Sequence, residues 1–99
     1  MKHITSIAHD EMVVRRIRKD TRFAAQYLRA ALEESDEPRV LLLALRHVAQ
    51  ARGVAKIAEA AGVQRESLYR ALSANGNPRL STLCAVAKAV GLRLTLETL

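Results

Sequence analysis

The stretch from Val54 to Ser73, VAKIAEAAGVQRESLYRALS, restricts the fold more than any other part of the chain. Ala58 stands four residues before Gly62, Val63 follows the glycine, Leu68 lies six residues after it, and Ala71-Leu72 come nine and ten after. This spacing predicts two short helices, Val54–Ala61 and Arg65–Leu72, folded against each other about a tight turn. Each position has a mechanical reason. Ala58 is small where the second helix crosses the first. Gly62 adopts the left-handed conformation that reverses the chain in so few residues. Val63 fills the elbow, and Leu68 and Leu72 bury the inner face of the second helix. The alanine–glycine–leucine spacing alone could arise in any helical hairpin, so the surroundings decide what this one is for.

Those surroundings are basic. Residues 1–38 balance seven basic against seven acidic side chains. Residues 39–99 carry nine basic (Arg39, Arg46, Arg52, Lys56, Arg65, Arg70, Arg79, Lys88, Arg93) against three acidic (Glu59, Glu66, Glu97). The net charge of +6 therefore belongs to the second part of the chain. A solubilising surface accounts for charge alone, whereas polyanion binding accounts for charge gathered around a helical hairpin. With a helix before it and another after the Asn75-Gly76-Asn77-Pro78 loop, the hairpin is a helix-turn-helix. Gln64, Arg65, Glu66, Tyr69, Arg70 and Ser73 face outward, and with Ser67 and Lys56 they form the predicted DNA-contacting set. Arg65 and Arg70 suit bidentate contact with guanine, worth about 1–3 kcal/mol of discrimination each. The plainer alternative is a surface pair with Glu66, worth roughly 0–1 kcal/mol. Glu66 suits cytosine or the positioning of an arginine; Tyr69 suits a thymine methyl, a phosphate or a half-buried helix face.

The other segments are read from apolar periodicity and chain breakers. Residues 1–9 alternate weakly, with Ile4–Ile7 a short strand or a loose tail. Asp10–Lys19 is helix-like. Asp20 caps a second helix whose stripe is Phe23, Ala24, Tyr27, Leu28, Ala31 and Leu32, running to about Glu34. Pro38 opens a third, which the apolar block Leu41–Leu45 makes central and which ends near Gly53. Asn75-Gly76 tolerates positive φ. Ser81 is expected to cap a last helix with Leu83, Val86, Ala87 and Val90 inside and Gly91 beyond its end. Leu92–Glu97 alternates strictly, a strand signature. The expectation is one all-α domain over residues 1–99, of five or six helices. Residues 10–52 supply the N-terminal helices, 53–91 the helix-turn-helix core and 92–97 a short C-terminal β-strand.

Several function classes are disfavoured. His3, His9 and His47 are scattered and lack ligand spacing, so no metal site is expected. Cys84 is expected to be a small core residue, and as the chain's single cysteine it cannot form an intrachain disulfide, which suits a cytoplasmic setting. The serines have no histidine–aspartate partners, so no enzyme and no cofactor is expected. No run approaches the roughly 18–20 apolar residues of a membrane span, and Met1–Asp10 lacks a signal-peptide apolar core.

Gly53–Thr98 resembles the Cro/phage-repressor class of helix-turn-helix domains. The wider chain, over roughly residues 10–98, resembles the HigA-like addiction module antidotes, antitoxins encoded beside RelE/HigB-type toxins. That likeness is carried by Ala24–Leu28, Ala30–Glu34, Gly53–Ala58, Arg65–Ser73, Gly76–Pro78 and Gly91–Leu94. The chain departs from the repressor class at Val54, where a phosphate-contacting glutamine is common; backbone amides, Lys56 or neighbouring arginines must anchor phosphate instead. The resemblance implies an antitoxin that neutralises a RelE/HigB-type toxin and represses its own operon by binding double-stranded operator DNA. A stand-alone transcriptional regulator is the alternative, and a toxin-sized neighbouring reading frame separates the two. A homodimer is expected on other grounds. One small helix-turn-helix reads few base pairs, and Leu92, Leu94 and Leu96 form an apolar strand face that needs a cover, either in Ile4–Ile7 or in a second copy.

Overall fold

Proline, glycine and one aspartate set most of the helix boundaries. The computed structural model describes the backbone of residues 2–99 and the side chains of residues 9–20 and 22–99. Among these residues there are six helices: α1 (Lys2–Lys19), α2 (Thr21–Glu34), α3 (Pro38–Arg52), α4 (Val54–Ala61), α5 (Arg65–Ala71) and α6 (Leu80–Ala89). The Asp20 carboxylate accepts the Arg22 N–H at 3.0 Å and so starts α2. Pro38 occupies the first turn of α3, where a missing N–H costs nothing. Gly53, at φ 97°, breaks the chain between α3 and α4.

The third helix is the hub, packing against α1, α2 and α4, and α4 in turn carries α5 and α6. Val48 of α3 is fully buried, with Ala44, Leu45 and Ala49 close to it in burial. Ile17 of α1, Ile57 of α4, Leu68 of α5 with Leu72 at its end, and Val86 of α6 complete the innermost layer. Each such side chain contributes about 1.5–3 kcal/mol of burial. Leucine, alanine and valine make up most of the buried core, and no aromatic side chain is among its buried members in the described residues. His47 is the buried polar member, and it is tied rather than isolated: Tyr27 Oη lies 2.7 Å from its Nδ1 and an Asp10 carboxylate oxygen 3.4 Å from its Nε2. This contact links α1, α2 and α3.

The all-α expectation holds, and five local expectations need correction. Residues 2–9, read as strand or tail, are the first turns of α1; Ile4 and Ile7 are three apart, and neither glycine nor proline interrupts Lys2–Lys19. The C-terminal β-strand over 92–97 is not seen among the described residues. Alternation gives a pleat-compatible segment, but a strand also needs a ladder partner, and Ile4–Ile7 is helical. Leu92 instead closes α6, its N–H donating to Ala87 O at 2.8 Å while Gly91 N–H donates to Lys88 O at 3.0 Å. Cys84 is exposed rather than in the core, because it projects about 200° around α6 from buried Val86. Ser81 does not cap α6: the helix begins at Leu80 with Arg79 in the cap position, which leaves Ser81 inside the first turn. Finally, positive φ among the glycines occurs at Gly53, Gly62 and Gly91, not at Gly76. Gly76 is needed for space: a Cβ there would meet Ala71 O at 2.1 Å.

Candidate functional site

The helix-turn-helix expectation rests on the elbow between α4 and α5. Gly62 is left-handed, at φ 73° and ψ 28°. Its N–H donates to Glu59 O at 3.1 Å, and the Val63 N–H donates to Ala58 O at 3.0 Å. This paired pattern satisfies the last carbonyls of α4 and turns the chain sharply. Ala58 is 3% exposed and Leu68 and Leu72 are 1% exposed, so the small crossing residue and the inner face of α5 lie where the spacing places them. Val63 packs at the edge of the core. Seven residues of helix, held on one side by two leucines, present their other side outward.

On that outer side Gln64, Arg65, Glu66 and Arg70 are exposed, while Ser67, Tyr69 and Ser73 are half-buried. Among the described residues no ion pair joins Arg65 or Arg70 to Glu66. Arg70 instead donates to Ser67 Oγ at 3.5 Å, and Ser73 Oγ donates to Arg70 O at 2.8 Å, which ties down the end of α5. Ser67 and Ser73 thus brace the helix. Gln64 stands in the cap position of α5 with no side-chain cap bond, so its amide is uncommitted. Tyr69 meets Arg46 of α3, whose guanidinium carbon lies 5.1 Å from the ring centroid.

Lys56 is not brought together with the α5 set. It sits about 200° around α4 from Val54 and lines a separate cleft with Arg22 and Arg52. Val54, on the opposite side, borders the cleft that adjoins Tyr69. Gly53 offers α4 no side-chain cap, so the first-turn amides of that helix are without a side-chain partner. Those amides suit the anchoring role expected of the backbone at this point.

The cleft beside Tyr69 has a volume of about 750 Å³ and runs between α1, α3 and α5. Its cations, Arg15, Arg18 and Arg46, escaped the sequence reading. Nothing local marks them: Arg46 is 23 residues from Tyr69, and only the packing of α1 on α3 brings Arg15 and Arg18 alongside. His47 lies at the floor of the cleft. Burial pushes its imidazolium below the usual histidine range, an effect that Asp10 opposes. The Tyr27 hydroxyl is pushed up, first by burial and then by Asp10. The neutral ring therefore donates Nε2–H towards Asp10 and accepts from Tyr27 at Nδ1. His3 lies outside the described side chains. Among the described residues no cluster of three or more His, Cys, Asp or Glu is placed to hold a metal, and no helix is long and apolar enough to cross a membrane.

Comparison with known proteins gives this geometry its family. A Haemophilus influenzae protein described as "Uncharacterized protein" is 42% identical over 71 residues, covering 72% of each chain. No solved structure matches. The family described as "Probable addiction module antidote protein" matches residues 8–98, from within α1 to the tail beyond α6. An antidote implies a toxin partner. The chain belongs to the addiction module antidote family.

Proposed function

We propose that this chain is an antitoxin that binds operator DNA through α5, represses its own operon and neutralises a RelE/HigB-type toxin, acting as a homodimer in the cytoplasm. The observation that carries the DNA reading is the outer face of α5. Gln64, Arg65, Glu66 and Arg70 are exposed, and a left-handed Gly62 elbow and two buried leucines fix the helix behind them. Arginine and glutamine are the side chains that read guanine and adenine bidentately in a major groove. A rigid support matters because base discrimination needs donors held in place before the duplex arrives. Membership of the antidote family supports the toxin-neutralising half.

A mobility shift with the chain's own upstream DNA tests the first half. The expected result is a shifted band that unrelated DNA of equal length competes away far less effectively than the operator does. Equal competition by the two DNAs overturns sequence-specific binding. For the second half, co-expression with the toxin-sized product of the adjacent reading frame should restore growth that the product alone arrests. Continued arrest, with both proteins soluble, overturns the antitoxin role for that product.

A further inference from the structure

The cleft beside Tyr69 holds more positive charge than the α5 surface has use for. Arg15 and Arg18 of α1 and Arg46 of α3 line it with Gln50 and Tyr69. Among the described residues none of the three arginines is in an ion pair, and residues 1–8 contain no Asp or Glu that could supply one. Two carboxylates also line the cleft, Asp10 and Glu11, at the middle of α1 and before both arginines in the chain. Asp10 is engaged by His47 Nε2 at 3.4 Å. Arg15 and Arg18 follow one to two helical turns later, roughly 6–12 Å further along the axis. Along α1 the charge therefore changes sign, from Asp10 and Glu11 to Arg15 and Arg18, and Arg46 of α3 adds a third cation to the same cleft.

Resting on the DNA-binding reading above, we infer that α1 is a second DNA-contacting element. Arg15 and Arg18, together with Arg46, grip backbone phosphates flanking the groove that α5 enters. The argument is one of continuity and charge. Tyr69 belongs to α5 and to this cleft at once, and its ring holds the Arg46 guanidinium at their border. A helix in a major groove roughly 12 Å wide has sugar–phosphate walls on either side, and the element beside the helix meets one wall. Three guanidinium groups in an open cleft suit phosphodiester oxygens, and the Gln50 amide and Tyr69 hydroxyl add neutral donors. Such contacts position the protein on DNA without reading sequence. Their loss lowers affinity for every duplex alike, which separates them from Arg65 and Arg70.

The test is a salt titration of DNA affinity with the full chain, on operator and on unrelated duplex, comparing wild type with R15Q/R18Q. Both side chains are exposed, and circular dichroism confirms that the variant is folded. The expected slope of log affinity against log salt is shallower by about 1.8, at roughly 0.9 for each phosphate no longer neutralised. Affinity for both duplexes should fall by the same factor, leaving their ratio unchanged, and R15K/R18K should restore most of the slope. An unchanged slope in a variant paired with a DNA-binding wild type overturns the role of α1 and leaves the α5 reading standing. A wild type that binds neither duplex overturns both.

Discussion

The Tyr27 hydroxyl donates to His47 Nδ1 across 2.7 Å, joining α2 to α3 at a point where α1 closes over both. Tyr27→Phe leaves the ring nitrogen without its donor in a largely buried site. It should cost about 1 kcal/mol, read as a fall of roughly 4–8 °C in melting temperature for a domain of this size. The pH dependence has a definite sign. The His47 pKa is lowered in the fold by burial, against about 6.5 unfolded, so the unfolded chain gains its proton first. The stability tied to neutral His47 is complete above about pH 6.5 and declines as the pH falls below that, toward the lower folded value. Melting temperature should drop more between pH 7.5 and 5 for wild type than for His47→Gln; parallel curves would remove this role.

Arg65→Ala and Arg70→Ala should each weaken operator binding by about 1–3 kcal/mol. The fold should be untouched, since both side chains are exposed. Competition with single-base variants of the operator gives a finer readout, because each substitution should relax discrimination at its own base pair. Unchanged operator affinity in both variants, with normal circular dichroism, removes α5 as the recognition helix.

Gly62 in the elbow and Gly76 in the loop after α5 should fail for different reasons. A Cβ at Gly62 meets nothing within 4 Å, but φ 73° strains any L side chain by about 1–2 kcal/mol, and a β-branched one by more. Gly62→Val should therefore lower the melting temperature and Gly62→Asn should recover much of it. At Gly76 no such rescue exists, because an added Cβ would meet the Ala71 carbonyl oxygen at 2.1 Å and its carbon at 2.7 Å. Gly76→Ala should thus cost more than Gly62→Ala. The reverse order in chemical denaturation would show that the loop after α5 adapts more readily than the elbow.

What the sequence made legible was mainly local in cause. Asp20, Pro38, Gly53, Gly62 and Gly91 act within one turn of where they stand, and each marks the boundary it was expected to mark. The α5 surface was legible for the same reason, since Leu68 and Leu72 define its opposite side. The misreadings concern features that other segments decide. Residues 2–9 and 92–97 carry patterns compatible with a strand, yet a strand exists only with a neighbour to pair with. Cys84 and Ser81 depended on where α6 begins and which way it faces. The basic cleft, with Arg15, Arg18 and Arg46, is assembled from three helices far apart in sequence and has no local mark. Lys56 belongs to the motif by sequence, but α4 turns it toward Arg22 and Arg52 instead of Tyr69.

The tail beyond α6 should make the chain a dimer. Leu92 packs against the core, whereas Leu94 is 46% exposed, Leu96 is 98% exposed, and Leu80 at the start of α6 is 71% exposed. Residues 93–97 keep their alternation and, among the described residues, pair with no strand. A segment that pairs with no strand and carries exposed leucines is satisfied by a second copy of itself, which can supply both a ladder and the apolar cover. The dimensions of the chain, 37 × 36 × 28 Å, allow two copies side by side to present α5 about 34 Å apart, one turn of duplex. Deleting Arg93–Leu99 removes the tail while sparing the Gly91 and Leu92 contacts that close α6. Light scattering at tens of micromolar should give twice the mass of 10.9 kDa for the full chain and the monomer mass for the truncated one. The truncated chain should keep its helical circular dichroism and lose operator affinity more than affinity for a single half-site. A monomeric full chain, or a truncated form that dimerises equally well, would show that the leucine tail does not mediate dimerisation.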